Sequence, residues 1–314
     1  MTAFLHYLTL LAPMFALAGL GFGVARLPFW RPSWTRWVTK LVFAVPLPAL
    51  LVHLMSDFSR LPPVDARLLI AFFGSCLVVF ALGRVVGALA FKLDGVGQSV
   101  FALGGVFSNN VLLGVPLARL ALGPEALPSV SLVLVFNALT LWTLATVSVE
   151  WARHGALSLS GLGQMLRNVL RNPIILAILT GTAIGVSGIT LPAPVDRVLG
   201  VLASIAGPLA LMVVGLGLSG YGVRQGLAQG LTITSIKLLV QPAVVWLLAL
   251  ALGLPPIERH AVVLLASLSV GVNVYLVATQ FETLESAVAS SLVLSTILAA
   301  LTTPLILALQ TAWG

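Results

Sequence analysis

The chain has 314 residues, 59% of them apolar and 8% charged, with a mean hydropathy of +1.11, whereas soluble domains carry roughly 25% charged residues. That balance excludes a single-domain cytosolic enzyme and a disordered tail, and it identifies a membrane protein. A bilayer span takes about 20 apolar residues, so the length holds at most about 12 to 14 spans and no soluble domain beside them. The net charge of +7 comes from 16 Lys and Arg spread over the whole length, which membrane topology explains better than nucleic acid. Cys76 is the lone cysteine. It reads as a small packing residue and carries no information about redox compartment.

Uncharged apolar windows separated by charges, Pro or Gly predict ten spans, at 3–25, 36–56, 67–91, 97–121, 126–149, 170–190, 196–219, 226–252, 258–280 and 285–311. The first has no basic residue ahead of it and Arg26, Arg31, Arg36 and Lys40 behind it, the reverse of a secretory signal peptide, so it is kept as a span. The odd-numbered connections hold those four with Lys92, Arg153, Arg167, Arg171 and Arg224. The even-numbered ones hold Arg60, Arg67, Arg119, Arg197 and Arg259. This positive-inside bias puts the odd loops in the cytoplasm and both termini outside a cell (inner or plasma) membrane.

The fourth and ninth windows are interrupted where a plain anchor would be apolar. The fourth carries Ser108, Asn109, Asn110, Gly114 and Pro116, and the ninth carries Ser267, Ser269, Gly271, Asn273, Tyr275 and Gln280. Asn110 and Asn273 are 163 residues apart, and Pro46 of the second window stands 162 residues before Pro208 of the seventh. A repeat of that length holds five spans, and since five is odd the second half enters the membrane from the other side. The division expected is a first repeat at 1–149, a short cytoplasmic loop at 150–169 and an inverted second repeat at 170–314. Interrupted segments at matching positions of two halves point to the substrate site of a secondary transporter. A helix broken in hydrocarbon frees N–H and C=O groups costing several kcal/mol each unless protein, water or ligand satisfies them. An Asn amide both donates and accepts, and so can cap a half-helix and face a substrate. Freed helix N-termini attract anions and C-termini attract cations.

Lys237 lies inside the eighth span, on one helical face with Thr234 and Gln241. A charge at that depth needs a partner: it either neutralises a bound carboxylate or caps the C-terminal carbonyls of a broken half-helix. Asn137, beside Thr140 and Thr143 in the fifth span, either lines the same cavity or packs between helices. All nine Asp and Glu residues lie in loops or near span ends, which argues against a carboxylate-based proton antiporter. His53 sits near the outer end of the second span, and His6, His154 and His260 are also peripheral. Gly215, Gly217 and Gly220 spell GxGxxG at the end of a span without βαβ context, so close helix packing explains them and dinucleotide binding does not. No HExxH, GxSxG, diphosphate-binding or metal-ligand cluster is present, so no catalytic residue, metal or cofactor is expected.

The segments FAVPLPALLVH at 43–53, SNNVLLGVPLARLALG at 108–123, RNPIILAILTG at 171–181, PLALMVVGLGL at 208–218 and VGVNVYLVATQF at 270–281 resemble the auxin efflux carrier family, which includes the plant PIN-formed proteins and many bacterial members. The resemblance covers the whole chain, although the 150–169 loop is short beside that of many plant members. It implies an all-α polytopic fold of ten helices in a five-plus-five inverted repeat with crossed broken helices, like sodium/proton antiporters and bile acid symporters. It further implies an elevator in which spans 1, 2, 6 and 7 form a scaffold and spans 3–5 and 8–10 a moving core. By the same resemblance Asn110 and Asn273 contact an organic anion, Pro116 helps form the crossover, and Val45, Pro46 and Leu47 face the site from the scaffold. A homodimer is implied in the same way, and bacterial relatives point to malate or malonate as readily as to auxin.

The function expected is therefore a carrier of small organic anions, auxin-like or dicarboxylate, in the bilayer, with Asn109, Asn110, Asn137, Asn273, Tyr275, Lys237 and Val45 to Leu47 around the substrate. Ser108, Gly114, Pro116 and Gly271 are expected to form the crossover. A sodium-coupled symporter, a non-transporting ligand sensor and, more weakly, an intramembrane lipid-modifying enzyme are the alternatives.

Overall fold

The computed structural model describes residues 2–56, 65–154, 163, 167, 171–221 and 226–312. Most of the loop expected at 150–169, together with Arg60 and Arg224, lies outside them. Among the described residues the chain is all helical, and seven helices are long and apolar enough to cross a membrane. The helices are α1 (Thr2–Ala25), α2 (Pro32–Ala44), α3 (Pro46–Ser56), α4 (Arg67–Phe91), α5 (Gly95–Val106), α6 (Val115–Ala121), α7 (Leu127–His154), α8 (Pro173–Ser187), α9 (Ala193–Leu218), α10 (Leu227–Ser235), α11 (Gln241–Ala251), α12 (Pro256–Ala266), α13 (Val272–Gln280) and α14 (Glu285–Ala312). Widened π turns join α5 to α6 at Asn110–Gly114 and α10 to α11 at Ile236–Val240.

Local chemistry sets most of these boundaries. Asp94 caps α5 by accepting from Gly97 N at 2.8 Å, and Asn172 caps α8 by accepting from Ile174 N at 2.9 Å. Pro173 and Pro256 open their helices, where the missing N–H would have had no partner anyway. Lys92 and Gly188 close α4 and α8 in the left-handed conformation. Between α2 and α3 the chain kinks at Val45, because Pro46 cannot donate to the preceding turn. Ahead of α4, Arg67 donates from Nε to Asp65 at 2.6 Å and from Nη1 to the carbonyl of Leu252 at 2.8 Å. The hydrogen bond from Arg67 holds the Asp65 carboxyl below the usual carboxylate range.

Helix α1 runs against α9 and α14, α3 against α8 and α9, α4 against α5 and α11, and α10 against α14. Small residues allow the closest of these approaches. A Cβ at Gly215 would stand 1.8 Å from the carbonyl oxygen of Ala18, and one at Gly21 would stand 2.1 Å from that of Met212. Apolar residues outside a bilayer protein are solvated by lipid as well as they would be by one another, so such backbone proximity is a principal source of helix association there. Gly215→Ala is expected to cost about 2 kcal/mol, because its obstacle is backbone and not a yielding side chain. A lowered melting temperature in detergent checks this, and an unchanged one would refute the α1–α9 contact.

Candidate functional site at two interrupted helices

The polar run Ser108-Asn109-Asn110 ends α5 at Val106, and the run from Ser267 to Gly271 ends α12 at Ala266. The two interruptions lie side by side and satisfy each other. Ser108 and Val270 form an antiparallel bridge, Gly271 N donates to Phe107 O at 2.7 Å, and Asn109 N donates to Ser269 O at 3.0 Å. Gly271 is required by the approach, since a Cβ there would stand 3.0 Å from Ser108 O. Helix α14 completes the set: Ser295 Oγ accepts from Val270 N at 3.0 Å, and Thr303 Oγ1 donates to Ser267 O at 3.1 Å.

The two helix C-termini are closed from a single neighbour. Lys237 Nζ donates to Ala266 O, the last carbonyl of α12, at 2.5 Å, and Gln241 Nε2 donates to Val106 O, the last carbonyl of α5, at 2.9 Å. Both side chains are fully buried. The π turn at 236–240 precedes Pro242, as the π turn at 110–114 precedes Pro116. In each case the proline ring meets the carbonyl four residues earlier, Leu238 or Leu112, and the wider turn relieves that clash.

The N-terminal ends are different. The segment beginning at Asn110 and helix α13, beginning at Val272, both open onto a cavity of about 80 Å³. First-turn N–H groups have no intrahelical acceptor, and the helix dipole makes such ends positive. The cavity is lined by Asn109, Asn110, Asn137, Asn172 and Asn273, five of the six asparagines in the sequence; the sixth, Asn168, lies outside the described residues. Asn110 Nδ2 donates to Asn137 Oδ1 at 3.3 Å, while Asn110 Oδ1 is buried without a partner. No charged side chain appears among the described lining residues. Phe43, Trp142, Ile174, Ile175 and Ile178 supply the apolar wall. A second cavity, of about 110 Å³, shares Phe43, Asn109, Leu112 and Val272 with the first and extends to Thr39 and Tyr221.

The structure therefore brings together Ser108, Asn109, Asn110, Asn137, Gly271 and Asn273. Lys237 is turned toward the end of α12 and does not line either cavity. Tyr275 packs edge-on against Tyr221, with ring centroids 4.7 Å apart, also outside both linings. Val45 is exposed, Pro46 and Leu47 are buried, and it is Phe43, in the same motif, that reaches the cavity. Gly114 packs under Leu265 and Leu268. Pro116 sits against Gly207 and, with Arg119, borders a separate cavity of about 320 Å³. Sequence reasoning missed Asn172, Phe43 and Trp142. The Asn-Pro pair at 172–173 signals a helix start, and nothing local reveals that the cap also faces the asparagines.

Compared with known proteins, the sequence matches the membrane transport protein family over residues 6–307. The chain belongs to that family, the auxin efflux carriers. It is also similar to a Rhizobium meliloti (strain 1021) protein named "Putative malonate transporter", with 28% identity over 297 residues that cover 93% of this chain and 92% of the relative. Membership of the family makes the protein a membrane transporter and not an enzyme.

Because Lys237 and Gln241 hold otherwise unmet carbonyls, Lys237→Met and Gln241→Leu are each expected to cost about 1–3 kcal/mol of stability. Thermal unfolding of the purified variants measures this. A Lys237→Met protein that melts like wild type would remove the capping role.

Proposed function

We propose that this auxin efflux carrier family member moves small organic anions, with dicarboxylates of the malonate and malate type as its first candidates, by alternating access of an elevator type. The observation that carries this reading is the electrical asymmetry of the interruptions: their carbonyl ends are capped by Lys237 and Gln241, while their N–H ends face a neutral, asparagine-lined cavity. An anion gains from both helix dipoles and from amide donors there, with no carboxylate among the described lining residues to repel it. The name of the Rhizobium relative favours malonate over auxin.

In this proposal ten spans form two inverted repeats of five, and the bridged interruptions are the crossing half-helices of spans four and nine. Spans 1, 2, 6 and 7 are the scaffold, with Phe43 and Ile174, Ile175 and Ile178 as its face toward substrate. Spans 3–5 and 8–10 carry the asparagines across the membrane. Both termini lie outside the cell membrane. Asn110, Asn137 and Asn273 bind carboxylate oxygens, with Asn109 and Asn172 at the margin of the site. The interior-negative potential is worth about 2.3 kcal/mol per charge per 100 mV, roughly fifty-fold in concentration, so uniport drives efflux without a coupled ion.

A sodium-coupled symporter is the second reading. A hard cation would be held by oxygen ligands, and the carbonyls of Val106, Phe107, Ala266, Ser267 and Ser269 already accept hydrogen bonds within the protein. That favours uniport.

The test is charge movement in proteoliposomes after concentration jumps of malonate, malate, indole-3-acetate and a bile acid, with and without sodium. A saturable, sodium-independent current for a dicarboxylate is expected. Asn110→Ala or Asn273→Ala should abolish it while melting near wild type, since each asparagine faces the cavity. Flux that survives both changes would sink the site, sodium dependence would select the symporter, and ligand-induced stabilisation without flux would select a sensor.

A further inference from the structure

The segment from Arg26 to Lys40 carries four cations, Arg26, Arg31, Arg36 and Lys40, and no acidic residue occurs in the sequence before Asp57. None of the four pairs with a carboxylate among the described residues. Arg26 instead lies over the ring of Phe22, 5.0 Å from its centroid. Interleaved with the cations are Phe29, Trp30, Trp34 and Trp37. Trp30 packs edge-on against Trp34 and donates from Nε1 to Thr35 Oγ1 at 2.8 Å, so the aromatic cluster is fixed and does not hang loose.

Helix α2, which bears most of this segment, packs against the protein on one side only, through Val42, which is buried, and Val38, Thr39 and Phe43, which are half-buried. Its outward stripe is Trp34, Trp37 and Leu41, all exposed, with Trp37 and Phe29 each 65% so. The spacing of three and then four residues puts these side chains on one face. Lys40 borders this face, about 60° round the helix from Trp37, and Arg36 lies one turn before Lys40 on the same side, further from the stripe. An apolar aromatic stripe beside unpaired cations matches the boundary between acyl chains and headgroups, where the rings sit at headgroup depth and the cations reach phosphate.

We propose that this segment is a binding site for anionic phospholipid, and that lipid phosphate supplies the counter-charges and lipid tails the packing for the outward face of α2. Arg31 and Arg36 take phosphate oxygens through paired N–H donors, Lys40 adds a point charge, and Trp34 and Trp37 set the depth. The site is independent of what the protein carries.

The test uses the full chain in phosphatidylcholine nanodiscs with or without phosphatidylglycerol, reading lipid retained through detergent exchange by native mass spectrometry. Wild type is expected to retain phosphatidylglycerol selectively, with retention falling as salt rises. Combined Arg31→Gln, Arg36→Gln and Lys40→Gln should weaken retention on the order of 100-fold, from about tenfold or less per cation at an anionic surface. A variant removing equal charge elsewhere, Lys92→Gln with Arg119→Gln and Arg197→Gln, should leave it unchanged. Arg31→Lys with Arg36→Lys keeps both charges but removes the paired donors, so it should retain less than wild type while keeping the preference for phosphatidylglycerol; if the glutamine variant fails to fold, retention by this pair equal to wild type overturns the proposal. Equal loss in the two charge-removed variants, no preference over phosphatidylcholine in wild type, or full competition by free glycerol 3-phosphate would each overturn the proposal.

Discussion

A polypeptide that stops being helical in a buried interior must find a partner for every backbone group it releases. In this protein that demand is met by pairing two interruptions with each other, through the Ser108–Val270 bridge and the bonds from Gly271 N and Asn109 N. Everything else around the site serves the same demand. Ser295 and Thr303 reach in from α14, Lys237 from the π turn between α10 and α11, and Gln241 from the start of α11. Even the proline-induced π turns belong to it, since Pro116 and Pro242 each follow a widened turn.

The same arrangement sorts charge. The buried Lys237 side chain closes the carbonyl end of α12, and the opposite, amide-rich ends are the positive features of the cavity. In the proposed anion site neutral asparagines suit that position, because a fixed guanidinium or ammonium would hold an anion too firmly for release, whereas helix dipoles and amides attract it without a full charge. The proposed transport of small carboxylates follows from this division of labour more than from any single residue.

Much of this was written in the sequence. The polar runs at 108–110 and 267–273, set in otherwise apolar windows, mark where α5 and α12 stop. Seven of the apolar windows correspond to the seven long helices, because hydropathy over about 20 residues is a strong signal. Which carbonyl Lys237 would reach was not legible, since its partner at Ala266 is set by how α12 lies against the π turn. Asn172 was hidden for a similar reason: its local role, capping α8, fully accounts for it, and its second role exists only once α7 and the interrupted segments are folded beside it. The Val45 to Leu47 segment drew attention for its prolines, yet those prolines turn the chain, and the side chain that reaches the cavity is Phe43, ahead of the kink.

The cavity wall is divided between residues with two duties and residues with one. Ser108, Asn109 and Gly271 shape the cavity and also hold the backbone bridge, so their replacement disturbs architecture along with recognition. Phe43, Ile174, Ile175 and Ile178 fill space and have no polar partners to lose. Substitutions on that oily side would widen or narrow the chamber one methylene at a time, whereas any change on the amide side also loosens the helices it keeps whole.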